Sequence, residues 1–476
     1  MAQSGAEDTS NPQSGRSDNE ESTGSFGRLL KALGLHRPQL RAWAMYDFGI
    51  SAAQTTIMTA VFPIFFVKVA AANLGETGGA QWWANANTIG AVIIAVLAPI
   101  LGALADFRAA KMKFLVGFLL LGVAATASMF FIARGQVLFA AIVFVLSLMG
   151  ATGSMTFYEA LLPHIAREDE MDRVSTAGYA LGYVGGGILL AANLFWIQHP
   201  AWFGLPSGEG LTSSQATLPA RLAFVSVAIW WLVFSIPVLR KVPEPPRTIE
   251  NDESAETSLS TSIISAFTRL GETIRELRGY REAFLAMLAF TIYNDGVQTI
   301  IKMAAVYGSE IGIKQSDLIT AILMVQFIGI PCAFGFGALA GRLGTKRSIF
   351  LGLVVYTGIC IYSYYMTTTA QFYGLAVLVG LVQGGTQALS RSLFARLVPK
   401  HKSGEFFGFY SVFEKFGGIL GPLLFGIALA NSGSSRIAIL SIIAFFIVGG
   451  GILATVDVKK GEEAARAADA RTIAAA

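Results

Sequence analysis

The sequence predicts an all-α integral membrane protein with twelve transmembrane helices in two six-helix halves. Composition is the first ground. Of 476 residues, 54% are hydrophobic and only 14% charged, and the mean hydropathy is +0.57. Soluble domains average roughly 25% charged residues, so the chain lacks the polar surface to cover a water-exposed globule. The second ground is run length: the apolar stretches are long, continuous and rich in Ala, Leu, Ile, Phe and Gly. A spanning helix needs about 20 such residues, and in lipid every backbone N–H and C=O must find a partner inside the protein. A β-barrel would show alternating segments of roughly ten residues instead. The third ground is internal repetition. Gly102-Ala103-Leu104-Ala105, Lys111 and Gly117 recur at a constant offset as Gly337-Ala338-Leu339-Ala340, Lys346 and Gly352.

Taken in order, residues 1–40 read as a disordered cytoplasmic tail, polar and rich in Ser, Gly and acid near its start, with no cleavable signal peptide. Residues 41–240 form the N-terminal six-helix bundle, with spans near 41–72, 82–104, 112–133, 137–163, 174–198 and 219–240. Trp82 and Trp83 open the second span and, with Trp43 and Trp202, suit anchoring at the membrane interface. Leu162-Pro163 closes the fourth. Gly178, Gly182 and Gly186 in the fifth permit close backbone approach. Residues 241–280 are a cytoplasmic linker with an amphipathic helix: Ile263, Phe267, Leu270, Ile274 and Leu277 make one stripe, with Arg269, Arg275 and Arg278 off it. It lies on the inner leaflet or packs under the bundle. Residues 281–457 form the C-terminal bundle, with spans near 281–308, 316–341, 346–367, 371–397, 404–430 and 434–457. Val398-Pro399 closes the tenth as Leu162-Pro163 closes the fourth. Gly417 and Gly421 mark a close contact in the eleventh, and Pro422 bends it. Residues 458–476 are a second cytoplasmic tail.

Basic residues set the orientation. Of 35 Lys and Arg, 27 fall on segments placed inside when the N-terminus is inside. Only Lys68, Arg134, Arg221, Lys314 and Arg436 fall outside, and Lys302, Arg391 and Lys415 lie within helices. Both termini are therefore expected in the cytoplasm. Cys332 and Cys360 sit in apolar runs and read as small buried hydrophobes, not a disulfide. His36, His164, His199 and His401 fall in or beside loops, so no metal cluster or membrane-embedded catalytic set is expected. No G-x-x-x-x-G-K-[ST] loop occurs, which argues against ATP as the direct energy source. No cofactor and no nucleic-acid partner are expected.

The loop Gly102-Ala-Leu-Ala-Asp106-Phe-Arg108-Ala-Ala-Lys111 resembles the major facilitator signature between helices two and three. Tyr46-Asp47-Phe48, Tyr293-Asn294-Asp295-Gly296, Gln383-Gly-Gly-Thr-Gln387-Ala-Leu-Ser-Arg391-Ser, Phe406-Phe407-Gly408-Phe409-Tyr410 and Gly421-Pro422 narrow the likeness. Together they resemble the bacterial relatives of the fungal vacuole effluxers, autophagy-related protein 22, over about 41–457. The resemblance implies a carrier built from two parallel-repeat halves, with helices one, four, seven and ten lining a central path. It also implies a bacterial inner membrane, a monomer, a small-molecule substrate and, loosely, amino acids as cargo. Asp106, Arg108 and Lys111 would latch the halves closed on the inner side, or else serve only the positive-inside rule.

Those four spans each carry a polar stripe at helical spacing. They are Asp47, Ser51 and Gln54 in the first; Thr152, Thr156 and Glu159 in the fourth; Asp295, Gln298 and Lys302 in the seventh; Gln383, Gln387 and Arg391 in the tenth. An Asp, Lys or Arg at a helix centre costs roughly 2.5–3.5 kcal/mol on insertion scales, so such groups should face a hydrated path or pair. The alternative is interior hydrogen bonding that only holds helices together. Gln54, Gln298, Lys302, Gln383, Gln387, Arg391 and Lys415 are the expected substrate ligands, with Arg391 and Lys415 as anchors for an anionic group. Asp295, near mid-depth, is the first choice for proton carrier, Glu159 the second, and Asp47 a third. The reading is a secondary active transporter working by alternating access with a co-transported proton. Facilitated diffusion, or a transport-inactive sensor or assembly partner on the same fold, are the alternatives.

Overall fold

A computed structural model describes residues 25–246, 279–313, 315–416, 420–432 and 434–475. Among the described residues, eleven helices are long and apolar enough to cross a membrane. We number them α1 (Pro38–Ala70), α2 (Gln81–Arg108), α3 (Lys111–Phe131), α4 (Val137–Ile165), α5 (Met171–Gln198) and α6 (Leu218–Lys241) in the first half. The second half has α7 (Arg281–Glu310), α8 (Gln315–Leu343), α9 (Thr345–Tyr365), α10 (Thr369–Leu397), α11 (Ser403–Phe416), α12 (Leu420–Ser432) and α13 (Ser435–Thr455). The eleventh predicted span, 404–430, takes in α11 and α12, with residues 417–419 between them outside the described residues. Elsewhere the expected spans stand within a few residues of these helices.

Local chemistry sets several of the boundaries. Pro38 starts α1, where its missing N–H costs nothing. Thr368 and Gln371 form a capping box at the start of α10. α2 and α8 end alike: Ala109 (φ 46°) and Gly344 (φ 89°) hold left-handed φ at equivalent positions of the repeat. Within α1 the backbone widens. Val61 N–H bonds to the Thr56 carbonyl and Ala71 N–H to the Phe66 carbonyl, both five residues back. Such wide turns often mark functional stretches of a helix.

The halves meet at the end that carries Arg37, Lys111, Arg173, Arg281, Arg342, Lys346 and Lys400, here called the basic end. At α2–α11 the backbones nearly touch. A Cβ added to Gly102 would sit 2.3 Å from the Gly404 carbonyl oxygen, and one on Gly408 would sit 2.6 Å from that of Ala98. The Ser403 hydroxyl donates to the Ala160 carbonyl (3.0 Å), and Thr156 and Ser411 hydroxyls pair at 2.7 Å. Asp172 of α5 accepts from Ser392 and Thr345 and pairs with Arg396 at 2.6 Å. The predicted glycine stripe of α5 packs on α1: a Cβ on Gly178 would press on Asp47, and one on Gly182 on Ser51.

Three expectations change. Residues 458–475, read as a tail, form helix α14 (Val458–Ala475), which buries Ala465 and Ala468 against the basic end. Its Asp469 accepts from the Lys400 and His401 backbone N–H groups and from His401 Nδ1 (2.8 Å). A helix also occurs at Ser25–Ala32, inside the predicted N-terminal tail. Trp43 is no interfacial anchor: it is wholly buried and stacks on Tyr158 at 4.3 Å. Trp202 is 74% exposed. The predicted amphipathic helix over 263–277 lies outside the described residues.

Candidate functional site

A cavity of about 370 Å³ opens between the halves. At about 30 Å³ per water it holds roughly a dozen water volumes, the scale of a small organic solute. Its walls come from both halves: Ser51, Gln54 and Thr59 of α1, Thr152 and Glu159 of α4, Gln298 of α7, Gln383 and Gln387 of α10. Six predicted site residues therefore share one space, namely Asp47, Gln54, Glu159, Gln298, Gln383 and Gln387. Gln387 Nε2 donates to Asn294 Oδ1 at 2.7 Å, which fixes its amide across α7 and α10. Exposure rises along α1 from buried Trp43 and Asp47 to exposed Gln54 and Thr59, so the cavity opens away from the basic end.

The floor is a charge cluster. Arg391 of α10 is fully buried, with Nη1 3.4 Å from Asp47 Oδ2 and 3.6 Å from Glu159 Oε1. Its Nε donates to the Ser175 hydroxyl and its Nη2 to the Ser175 carbonyl, both at 2.9 Å. Trp43 and Tyr179 flank the guanidinium at 4.9 and 4.6 Å from ring centroid, within the range of cation–π attraction. Tyr158 donates its hydroxyl to Asp47 Oδ2 at 3.0 Å. A buried guanidinium is costly unless paired and hydrogen-bonded, and every charged partner here belongs to the other half. Arg391 is thus a tie between halves. As a substrate anchor, its predicted role, it would have to be shared with two carboxylates, and it is not on the cavity wall.

Asp295 also departs from expectation. It is 2% exposed and absent from the cavity wall; its carboxylate accepts the N–H groups of Leu420 (3.0 Å) and Gly421 (2.9 Å). Two backbone N–H groups of α12 thus converge on one carboxylate, an arrangement that favours its charged form. The predicted cavity-facing proton carrier is turned to the α12 backbone and does not line the cavity. Lys302 and Lys415 have side chains outside the described residues.

Asp106 joins the ends of α2 and α11. Its carboxylate accepts from the Gly404 and Glu405 N–H groups (3.1 and 2.8 Å) at the start of α11 and pairs with Lys111. Arg108 is exposed at the end of α2.

Wall residues that were not on the predicted list include Tyr179 and Tyr183 of α5, Gln326 of α8, and Ser411 and Glu414 of α11. Gln326 is a lone amide in an apolar run, and the tyrosines follow the α5 glycines at four-residue spacing. Both signals were present in the sequence.

Comparison with known proteins follows from this geometry. A family profile described as "Vacuole effluxer Atg22 like" matches residues 84–466. The "Uncharacterized MFS-type transporter YxiO" of Bacillus subtilis is 38% identical over 420 residues, 88% of this chain and 94% of that protein. "Autophagy-related protein 22" of Yarrowia lipolytica is 27% identical over 319 residues, 62% of this chain and 51% of that protein. The chain thus spans about half the length of that fungal relative. Among solved structures, the major facilitator transporter FucP in the outward conformation superposes with a TM-score of 0.65 at 13% identity, covering 88% of this chain and 100% of that one. The proton:xylose symporter XylE superposes at 0.64, also at 13% identity, covering 89% and 96%.

Proposed function

The chain belongs to the Atg22-like vacuole effluxer family and is a transporter of the major facilitator type; from that premise we propose a proton-coupled carrier of small polar organic solutes, amino acids first among them. The observation that carries the proposal is Arg391, bound to Asp47 and Glu159 of the opposite half directly beneath an amide-lined cavity. With the basic end sealed, the cavity is reached from the other side. A solute enters and hydrogen-bonds to the glutamine walls. A proton delivered through cavity water adds to Glu159 or Asp47. A neutral carboxyl attracts Arg391 less, so the tie between halves weakens and the basic end parts. Release of solute and proton on that side restores the pair.

Asp106 acts in the same step by holding the α11 N-terminus against α2. The coupling acid on this reading is Glu159 or Asp47, because both touch the cavity and Arg391; Glu159 is tested first. The membrane is assigned as a bacterial inner membrane with both termini cytoplasmic, on the strength of the basic-residue distribution and the bacterial relative. A monomer suffices for this cycle.

The test is uptake of a radiolabelled amino-acid panel into proteoliposomes with and without an imposed pH gradient. Saturable uptake accelerated by the gradient, and uncoupled exchange in Glu159→Gln, support the proposal. Saturable uptake indifferent to the gradient makes the protein a facilitator. Silence across the panel removes the amino-acid assignment.

A further inference from the structure

Resting on the carrier reading, we infer that Tyr183 sets the size of solute the cavity accepts, with its ring seated in a notch made by two glycines of the opposite half. Tyr183 lies on α5, near the middle of the helix, and lines the cavity one turn beyond Tyr179. Its ring crosses between the halves. A Cβ on Gly384 of α10 would lie 2.4 Å from Tyr183 Cε2, and a Cβ on Gly329 of α8 would lie 2.8 Å from the same atom. Real Cβ contacts do not occur at such distances, so only glycine at both positions leaves room for the ring where it stands.

This placement explains part of the Gln383-Gly384-Gly385 string. Gln383 gives its amide to the cavity. Gly385 receives Phe336 of α8, where a Cβ would come within 2.1 Å of the ring. Gly384 receives Tyr183. The two adjacent glycines thus accept aromatic rings from different neighbours, one within its own half and one across the divide. The Tyr183 hydroxyl makes no hydrogen bond among the described residues, although the ring is half-buried at the wall. It is therefore positioned to donate to or accept from a solute. Because one side of the ring is held by the notch, the other fixes how wide a solute can be.

The consequence is a pair of opposed substitutions. Tyr183→Ala removes the ring and widens the cavity. Gly384→Ala pushes the ring out of its notch and narrows it. The double variant removes both the ring and its conflict with the new methyl. The experiment measures kcat/KM for radiolabelled glycine, alanine, leucine and phenylalanine in proteoliposomes of each full-length variant. Monodisperse elution from size exclusion is the folding control, and Tyr183→Leu replaces Tyr183→Ala if the latter fails it.

Relative to wild type, the phenylalanine-to-alanine ratio is expected to rise about tenfold in Tyr183→Ala and to fall about tenfold in Gly384→Ala. The double variant should recover the large-solute activity that Gly384→Ala loses, whereas a merely structural role for Gly384 would leave it lost. Tyr183→Phe should keep the size ratio while weakening KM for all solutes. Wild-type transport with an unchanged ratio in Tyr183→Ala, or a Gly384→Ala defect that removing the ring does not relieve, overturns the inference and leaves the carrier reading standing. Wild-type silence for every solute removes the amino-acid assignment and overturns the inference, which is stated for those solutes.

Discussion

Replacing Arg391 by Gln tests the tie between halves most directly. The change strips the cation from Asp47 and Glu159, whose side chains are each 5% exposed. Leaving a buried charge without its partner costs about 3–5 kcal/mol. It also removes two charge-assisted hydrogen bonds to Ser175, each worth about 1.5–3 kcal/mol. A soluble core would unfold or protonate in response. Here a third route exists: the halves can part at the basic end and let water reach the carboxylates. Taking only the lower figure, about 3 kcal/mol shifts the closed-to-open ratio by more than about 100-fold, at 1.4 kcal/mol per factor of ten.

Spin labels report that shift. Asp169 and Lys400 are exposed on loops of opposite halves at the basic end; each is changed to Cys in a background with Cys332 and Cys360 replaced by Ala. Pulsed dipolar spectroscopy should give one short distance in the parent protein and a dominant longer one in Arg391→Gln. Arg391→Lys should fall between, because a point charge keeps one carboxylate but not the bonds to Ser175. Acidification of the parent should move the distribution the same way. A folded Arg391→Gln protein with an unchanged distribution refutes the reasoning.

The other expectations are simpler. Asp106→Ala removes the acceptor for two α11 N–H groups and should change turnover about fivefold or more with KM held within about twofold, on the scale of the lost charge-assisted bonds; steady-state uptake shows the split, and the opposite pattern counts against a latch. Asp295→Asn should lower unfolding stability by about 2–3 kcal/mol by weakening the bonds from the Leu420 and Gly421 N–H groups while leaving proton-driven accumulation intact; a normal melting curve with lost accumulation would return coupling to Asp295. Ala109→Gly should stabilise the fold by about 0.5–1 kcal/mol, since Ala pays for its left-handed φ, and a lowered melting temperature contradicts that. For α14, burial alone would raise the Asp469 carboxyl, but hydrogen bonds from His401 and the Lys400 N–H hold it below its ordinary 3.8. A depressed carboxyl stabilises docking above that ordinary value and loses the contribution as pH falls through the lower folded one. A spin label at Glu463 should therefore keep its mobility from neutral pH down to about 4 and loosen below; Asp469→Asn should loosen it already at neutral pH, and equal mobility in the two proteins sinks the idea.

The helices were readable because hydropathy and run length are local properties, and so was the repeat; the paired left-handed turns at Ala109 and Gly344 appear only in the structure. The amphiphilic α14 escaped. Its residues 458–475 look polar enough for solvent, and only the partners on the basic end, such as Leu397 against Gly461, make it a docked helix.

The site was readable as a set of stripes but not as a set of roles. Asp295 and Gln298 lie on one helical face, yet Gln298 reaches the cavity and Asp295 reaches the α12 backbone. At mid-depth a carboxylate is satisfied equally well by hydrated space or by backbone N–H groups, and spacing along α7 does not distinguish them. The same limit applied to Arg391. Its cost at depth announced a partner, but Asp47 and Glu159 sit on different helices of the other half, and no periodicity links those positions. Depth along a helix follows from counting residues; the identity of the partner follows from how the two halves are rotated against each other. Roles that depend on that rotation, the tie of Arg391 above all, change during the proposed transport cycle. They are therefore properties of one state of the molecule, and a sequence carries all of its states at once.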